Sequence, residues 1–249
     1  GWLLLCLTLD GRRQRIGRRE RMEQQPEHEF DTIRHGTLGN IVYQNITDAL
    51  IKGMLRPDSR LKIRDLAKRM GTSVTPVREA ILRLIQDGAL VMKTPRDIRV
   101  PILQPARYFE IRSIRLELEG LAAETAARKA QPDDICNLEE LIAANETAIV
   151  ERDFGKATEI NQLFHFALAE IAEMPVLGGI LRNLWMQMGP VISAAYEDGG
   201  RTMIVHHYDV LEALRHHDGS QAKKAIRDDI LANGDFILNG NILSAVATE

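Results

Sequence analysis

Four polar side chains fall on otherwise apolar helical stripes in the second half of the chain. Asn161 and His165 are one helical turn apart and can therefore point at the same atom. His207 and Asp229 lie on two further stripes of aliphatic residues. Buried imidazole and carboxylate groups need partners, and one divalent metal ion would satisfy all of them together. The alternative is a hydrogen-bonded core histidine or an exposed acid at each position.

Six helical segments are predicted in this part of the chain, and three of them carry these residues. Apolar residues recur at helical spacing from Pro101 onward, and proline and glycine mark the breaks. The predicted helices span residues 105–130, 132–150, 153–173, 176–196, 201–216 and 220–239. Because the links between them are short, we expect an antiparallel helical bundle.

Residues 62–88 have the pattern of two short helices around a tight turn. The first has an apolar face at i, i+3, i+4 and i+7 and ends at Gly71. The second is predicted to begin with Thr75 as its N-cap and Pro76 as its first residue, and to end at Gly88. Three residues separate Gly71 from Thr75, which is the length of a helix-turn-helix corner, although an ordinary helical corner is the alternative.

The charge distribution favours contact between this region and DNA. Residues 37–100 contain twelve Lys and Arg against six Asp and Glu, whereas residues 101–249 contain thirteen against twenty-three. The whole chain has a formal net charge of -3. A basic block joined to an acidic body is expected when one part meets phosphate and the other does not.

A helix before the helix-turn-helix and a hairpin after it complete this module. The helix is predicted from Thr37, and two β-prone runs at residues 89–92 and 98–100 flank a turn. We therefore predict a mostly α protein. It has an N-terminal winged helix-turn-helix with a small β-hairpin wing over residues 37–101, and an all-α antiparallel bundle over residues 105–239.

The ends of the chain and its composition set further limits. The two cysteines, Cys6 and Cys136, show no CxxC spacing, and no apolar run reaches the length of a membrane span, so we expect a cytoplasmic protein with no membrane partner. Residues 1–36 are predicted to be a disordered arm and residues 240–249 a tail. Met22 resembles a natural start, so residues 1–21 are interpreted as a reading-frame artefact or an added arm, with an Arg-rich arm that touches DNA as the alternative.

The motif Ser73-Val74-Thr75-Pro76-Val77-Arg78-Glu79-Ala80 resembles the signature of GntR-type transcriptional regulators, and the likeness covers roughly residues 37–101. It implies a DNA-binding surface that includes Arg64, Ser73, Thr75 and Arg78. Thr94 and Arg96 at the predicted wing tip are assigned to the same surface. The chain departs from the family pattern at Val74, where Arg is usual, and at the wing tip, where Gly is usual. Because Val74 cannot hydrogen-bond through its side chain, Arg64 and Arg78 carry more of the expected recognition.

The bundle resembles the FCD ligand-binding domain of the FadR branch, over roughly residues 105–238. The likeness rests on Arg115-Leu116-Glu117-Leu118-Glu119, on Phe164-His165 and on the helix that starts at His207. It implies a divalent metal, such as Zn, Ni or Mn, held by Asn161, His165, His207 and Asp229. The family usually has Asp at the position of Asn161 and His at the position of Asp229, and a metal-free, hydrogen-bonded cluster is the alternative.

Arg115 is the candidate for effector binding. Beside a metal its guanidinium group suits a carboxylate, which indicates a small organic acid, whereas pairing with Glu119 is the alternative. The sequence thus predicts a homodimeric transcriptional regulator, assigned as a repressor, that binds operator DNA and senses a small acid. A metalloenzyme lacks support because no HExxH motif occurs and the winged helix would be unexplained. A third interpretation is a DNA-binding protein whose bundle serves only for dimerisation.

Overall fold

A computed structural model describes residues 36–239 and Leu243 of the protein. The expectations for residues 1–35 and for the rest of the C-terminal tail lie outside these residues. In the described part, the elements follow in the order α1 (Gly36–Ile51), β1 (Arg60–Leu61), α2 (Ile63–Arg69), α3 (Val74–Gln86), β2 (Val91–Thr94), β3 (Asp97–Arg99), α4 (Pro105–Lys129), α5 (Pro132–Val150), α6 (Phe154–Ile171), α7 (Pro175–Gly199), a 3-10 turn (Gly200–Ile204), α8 (Val205–Arg215) and α9 (Gly219–Asn239). The predicted mostly α fold is confirmed.

The first three helices and the small sheet form the winged helix. α3 buries Val77, Ala80, Ile81 and Leu84 on one face, as its apolar stripe predicts, and packs against α1 and α2. β2 and β3 form the antiparallel hairpin of the wing. The sequence prediction missed β1, which pairs antiparallel with β3 and places Leu61 opposite Ile98. A strand of two residues is too short to show an alternating pattern, so its pairing partner alone defines it.

The turn between α2 and α3 differs from the prediction at one end. Gly71 has a φ of 62°, so a residue without a Cβ is favoured there, as expected from its place after α2. α3 begins at Val74 with Ser73 as its N-cap, and the Ser73 side chain makes no capping hydrogen bond. The assignment of Thr75 as N-cap is therefore wrong. Pro76 is accommodated because the first turn of a helix does not require its N–H.

The six remaining helices form the predicted bundle. Pro105, Pro132 and Pro175 each occupy the first position of a helix, where proline favours initiation. α4 packs against α9 and α6, and α8 packs against α9. Residues 201–204, predicted as the start of the fifth helix of the bundle, form the 3-10 turn instead.

α1 joins the winged helix to the bundle by packing against α7. A Cβ placed on Gly189 of α7 would clash with the backbone carbonyl groups of Leu50 and Ile51, so the two backbones approach closely only because this residue is Gly. Arg182 of α7 donates to Gln44 and pairs with Asp48, both on α1. Within the described residues, none of the helices is long and apolar enough to span a membrane.

Candidate functional site

Three of the four predicted metal ligands meet in the interior of the bundle. His165 comes from α6, His207 from α8 and Asp229 from α9, and all three side chains are buried. One ligand atom from each residue lies within 4.8 Å of the others. Nε2 of His165 is 3.4 Å from Oδ2 of Asp229, and Nε2 of His207 is 3.5 Å from Oδ1 of the same carboxylate. The helical stripes in the sequence thus lead to one cluster.

Asn161, the fourth predicted ligand, lies in the wall of the same small cavity. It is one turn before His165 on α6, is buried, and lines the cavity together with Arg115, His165 and Asp229. The cavity has a volume of about 10 Å³. This volume holds little more than one water molecule, so an organic ligand requires the surrounding helices to separate.

Glu119 and Asn233 hold the cluster from outside, and neither residue was predicted to belong to it. Oε2 of Glu119 lies 2.5 Å from Nδ1 of His165. Nδ2 of Asn233 donates to Oδ2 of Asp229 at 3.2 Å. A carboxylate on the outer nitrogen of a histidine fixes the ring and leaves Nε2 for a ligand, as is usual around protein-bound metals. Asn233 could have been found from the sequence, because it lies four residues after Asp229 and therefore on the same helical face.

The buried charges in this region require one more positive charge for balance. Glu119 and Asp229 contribute two negative charges and Arg115 one positive charge. Burial favours a higher pKa for Glu119, but the charges of Arg115 and His165 outweigh it and lower the pKa to about 2. Burial disfavours protonated His165, yet the charges of Glu119 and Asp229 raise its pKa to about 9. With this pKa His165 carries a proton at neutral pH, and that proton balances the two carboxylates; a metal cation bound at Nε2 would replace it.

Several polar atoms of the cluster fit a metal ion. Among the described residues, Oδ1 of Asn161, both ring nitrogens of His207 and Oδ1 of Asp229 are buried without a hydrogen-bond partner. Unpaired buried polar atoms are costly, and such atoms usually indicate an ion or water. In a tetrahedral zinc site, ligand atoms are about 3.3 Å apart. The two histidines approach different oxygens of Asp229 at separations of that size, whereas one ligand atom from each residue lies within 4.8 Å of the others. Burial also lowers the pKa of His207 to about 4, which keeps its ring neutral as a metal ligand must be.

Arg115 forms the ion pair with Glu119 that the sequence offered as the alternative to effector binding, and it also faces the cavity. Its Nε donates to Oε1 of Glu119 at 2.6 Å, so the predicted ion pair exists and is buried. Its guanidinium group also lies over the ring of Trp185 and lines the cavity beside the cluster. Through Glu119, Arg115 is linked to His165.

The predicted DNA-facing residues all lie on the surface of the winged helix. Ser73 and Thr75 at the start of α3 and Thr94 in the wing are exposed. Arg64, Arg78 and Arg96 line one groove between α2, α3 and the wing. Across residues 36–239, the side chains of these three arginines form no ion pair with an acidic residue. Although Asp65 also lines it, the groove presents a net positive charge at the start of α3, where helix N–H groups also favour phosphate.

Comparison with known proteins assigns this architecture to a family. Residues 38–100 match the family model described as bacterial regulatory proteins, gntR family, and residues 110–232 match the FCD domain. The HTH-type transcriptional regulator McbR of Escherichia coli (strain K12) is 31% identical over 205 residues, which cover 81% of this chain and 93% of McbR. The chain belongs to the GntR family of bacterial regulatory proteins. It is a transcriptional regulator with an FCD domain.

Two solved structures and a further relative support this assignment. The solved structure of E. coli McbR/YncC has a TM-score of 0.76 at 30% identity and covers 82% of this chain and 98% of its own. A GntR regulator from Rhodococcus sp. RHA1, with a TM-score of 0.67 at 19% identity, covers 81% of this chain and 98% of its own and supports the fold alone. The transcriptional repressor RspR of E. coli (strain K12) is 22% identical over 74% of this chain and 82% of RspR. These relatives are transcriptional regulators, so the prediction that the chain is not an enzyme is confirmed.

Proposed function

We propose that the protein is a homodimeric, cytoplasmic transcriptional repressor whose FCD domain binds a divalent metal and, through it, a small organic acid. The buried cluster of His165, His207 and Asp229 is the observation that carries this proposal. Its unpaired polar atoms favour a cation over an apolar ligand. The relative RspR of E. coli is a transcriptional repressor, which supports the repressor assignment.

The metal is Zn, Ni or Mn, held by Asn161, His165, His207 and Asp229. A bound metal supplies a Lewis-acid position for one carboxylate oxygen of the acid. Arg115 orients the same carboxylate from the cavity wall, and Glu119 keeps both Arg115 and His165 in place. Imidazole nitrogens together with oxygen ligands suit these metals better than the all-oxygen sites typical of Mg²⁺ and Ca²⁺.

Operator DNA is bound by the winged helix. Arg78 of α3 contacts base edges or phosphate, and Arg64 and Arg96 reach the backbone from either side of the groove. Ser73, Thr75 and Thr94 add hydroxyl groups suited to phosphate oxygens. A homodimer places two such modules on half-sites about one helical turn apart, which is how helix-turn-helix proteins obtain sufficient specificity.

α7 connects the acid to the DNA-binding module. Met188 and Ile192 of α7 line the cavity, whereas Gly189 between them contacts the carbonyl end of α1. Because the cavity holds little more than a water molecule, an acid that enters displaces the helices around it. Displacement of α7 moves α1, and with it the winged helix. The acid thus favours one of two positions of the winged helix relative to the bundle, and operator affinity changes because the two positions bind DNA differently.

A thermal-shift screen tests this proposal. The full chain is dialysed against chelator and assayed with and without Zn²⁺, Ni²⁺ or Mn²⁺, in combination with a set of small carboxylic acids. We expect one metal to raise the melting temperature and an acid to raise it further only when that metal is present. The His165→Ala, His207→Ala double variant is the control. Equal shifts in the wild type and the double variant, or no shift in either, would remove the basis for a metal-dependent sensor.

A further inference from the structure

A second arginine, Arg112, borders the cavity one turn before Arg115 on α4. Its side chain is half-buried, with the guanidinium carbon 4.9 Å from the centre of the Phe109 ring and 5.5 Å from that of Tyr108. Arg115 is neutralised by Glu119, but among the described residues no carboxylate lies within ion-pair distance of Arg112. Arg112 therefore brings to the cavity a guanidinium group that is not held in a direct ion pair by a described carboxylate.

Gly234 of α9 keeps space for this guanidinium group. A Cβ at position 234 would lie 2.6 Å from the hydroxyl oxygen of Tyr108 and 3.0 Å from Nη1 of Arg112. A Cβ there would force the Tyr108 hydroxyl group to shift and would press on the flexible end of Arg112. The hydroxyl group of Tyr108 and the guanidinium group of Arg112 thus form a polar corner next to Gly234, which has no side chain.

This corner lies within reach of the metal cluster. Arg112, Arg115, His165 and Asp229 line the same cavity, and residues three apart on a helix have Cβ atoms about 5–6 Å apart. A carboxylate held near Arg115 and the metal would leave the opposite end of a short molecule near Arg112. The two arginines would then bind two separate anionic groups.

We infer that the effector is a short dianion, a dicarboxylic acid or a carboxylic acid with a second acidic group, and that Arg112 binds the second charge. This inference rests on the proposed function, since the first carboxylate occupies the metal site. Arg112 determines specificity between acids that share the first carboxylate and differ at the opposite end. The tyrosine hydroxyl group donates a further hydrogen bond to the second anionic group.

Matched pairs of acids test the inference on the metal-loaded full chain. Malate and 2-hydroxybutyrate share a hydroxy-acid end, but the second carboxylate of malate is a methyl group in 2-hydroxybutyrate. 2-Hydroxyglutarate and 2-hydroxyvalerate form the same comparison with one more carbon between the charges. Calorimetry should give an affinity about 10- to 100-fold higher for the diacid of at least one pair, as expected for a charge-assisted hydrogen bond.

The Arg112→Gln variant separates this role from a structural one. It should bind the diacid as weakly as the monoacid, while its affinity for the monoacid and its metal content stay at the wild-type level. Arg128→Gln, at an exposed arginine of the same helix, is the control and should behave as the wild type.

The failures of the inference and of the proposed function give different results. If the monoacids bind the metal-loaded wild type as tightly as the diacids, or if Arg112→Gln weakens both equally, the role of Arg112 is wrong and the proposed function stands. If neither acid of either pair binds the wild type, the proposed function and the inference both fail.

Discussion

Replacement of Glu119 by Gln removes one buried charge and keeps the size of the side chain. In the wild type, one carboxylate oxygen accepts hydrogen bonds from Nε of Arg115 and Nε1 of Trp185, and the other faces Nδ1 of His165. The single carbonyl oxygen of Gln can replace only the oxygen that accepts hydrogen bonds from Arg115 and Trp185. Its amide group then points N–H at Nδ1 of His165, which favours the tautomer with the ring proton on Nε2.

This substitution should lower both the stability of the fold and the affinity for metal, and the magnitude of each loss can be estimated. Removal of one partner from a buried ion pair typically costs about 3–5 kcal/mol, because the remaining charge of Arg115 stays buried. An Nε2 atom that carries the proton cannot bind a metal, and loss of such an outer partner typically lowers metal affinity about 10- to 100-fold. Glu119→Gln should therefore lower both the free energy of unfolding and the metal affinity.

Urea denaturation of the metal-free protein measures the first loss, and competition with a chelator of known affinity measures the second. Glu117→Gln is the matched control, since Glu117 lies on the same helix but is exposed and pairs with Arg227 on the surface. The account is refuted if Glu119→Gln and Glu117→Gln have the same stability and the same metal affinity.

Three further substitutions test separate parts of the account. Arg78→Ala should weaken binding to DNA selected from a random pool by roughly 1–3 kcal/mol, measured by fluorescence anisotropy, and an unchanged affinity would mean that another face of α3 meets DNA. Asn161→Asp adds a charged ligand and should raise zinc affinity at least about 10-fold in a chelator competition; equal affinity would exclude Asn161 from the site. Gly189→Ala should destabilise the chain by about 1–3 kcal/mol in urea denaturation because a methyl group cannot fit against α1. Gly179→Ala, on the same helix with open space around its position, should not be destabilised, so equal effects of the two would contradict the close approach of α7 and α1.

The bundle and the buried cluster of His165, His207 and Asp229 could be predicted from the sequence because local patterns determine them. Apolar stripes gave the six helices to within a few residues, and His207 and Asp229 occupy buried positions on those stripes. Once three inward-facing stripes are known, a compact bundle leaves little choice about where their polar residues meet. The prediction that His165, His207 and Asp229 come together follows from this.

Other features depend on contacts between residues far apart in the chain. β1 exists only because Arg60 and Leu61 pair with β3, and two residues carry no periodic signal. Glu119 was assigned to Arg115 because the two are four residues apart, but its contact with His165 joins α4 to α6 and requires the packed structure. The need for Gly at position 189 likewise depends on how closely α7 approaches α1.

The central claim is that a metal-bound acid in the FCD domain changes the affinity of the winged helix for DNA. Its most direct test is the binding of a DNA site selected from a random pool, measured for the metal-loaded full chain with and without an acid identified by thermal shift. The account predicts a change of about 5- to 150-fold in the dissociation constant, which disappears in the His165→Ala, His207→Ala double variant. An acid that binds the wild type but leaves its DNA affinity unchanged would contradict the account.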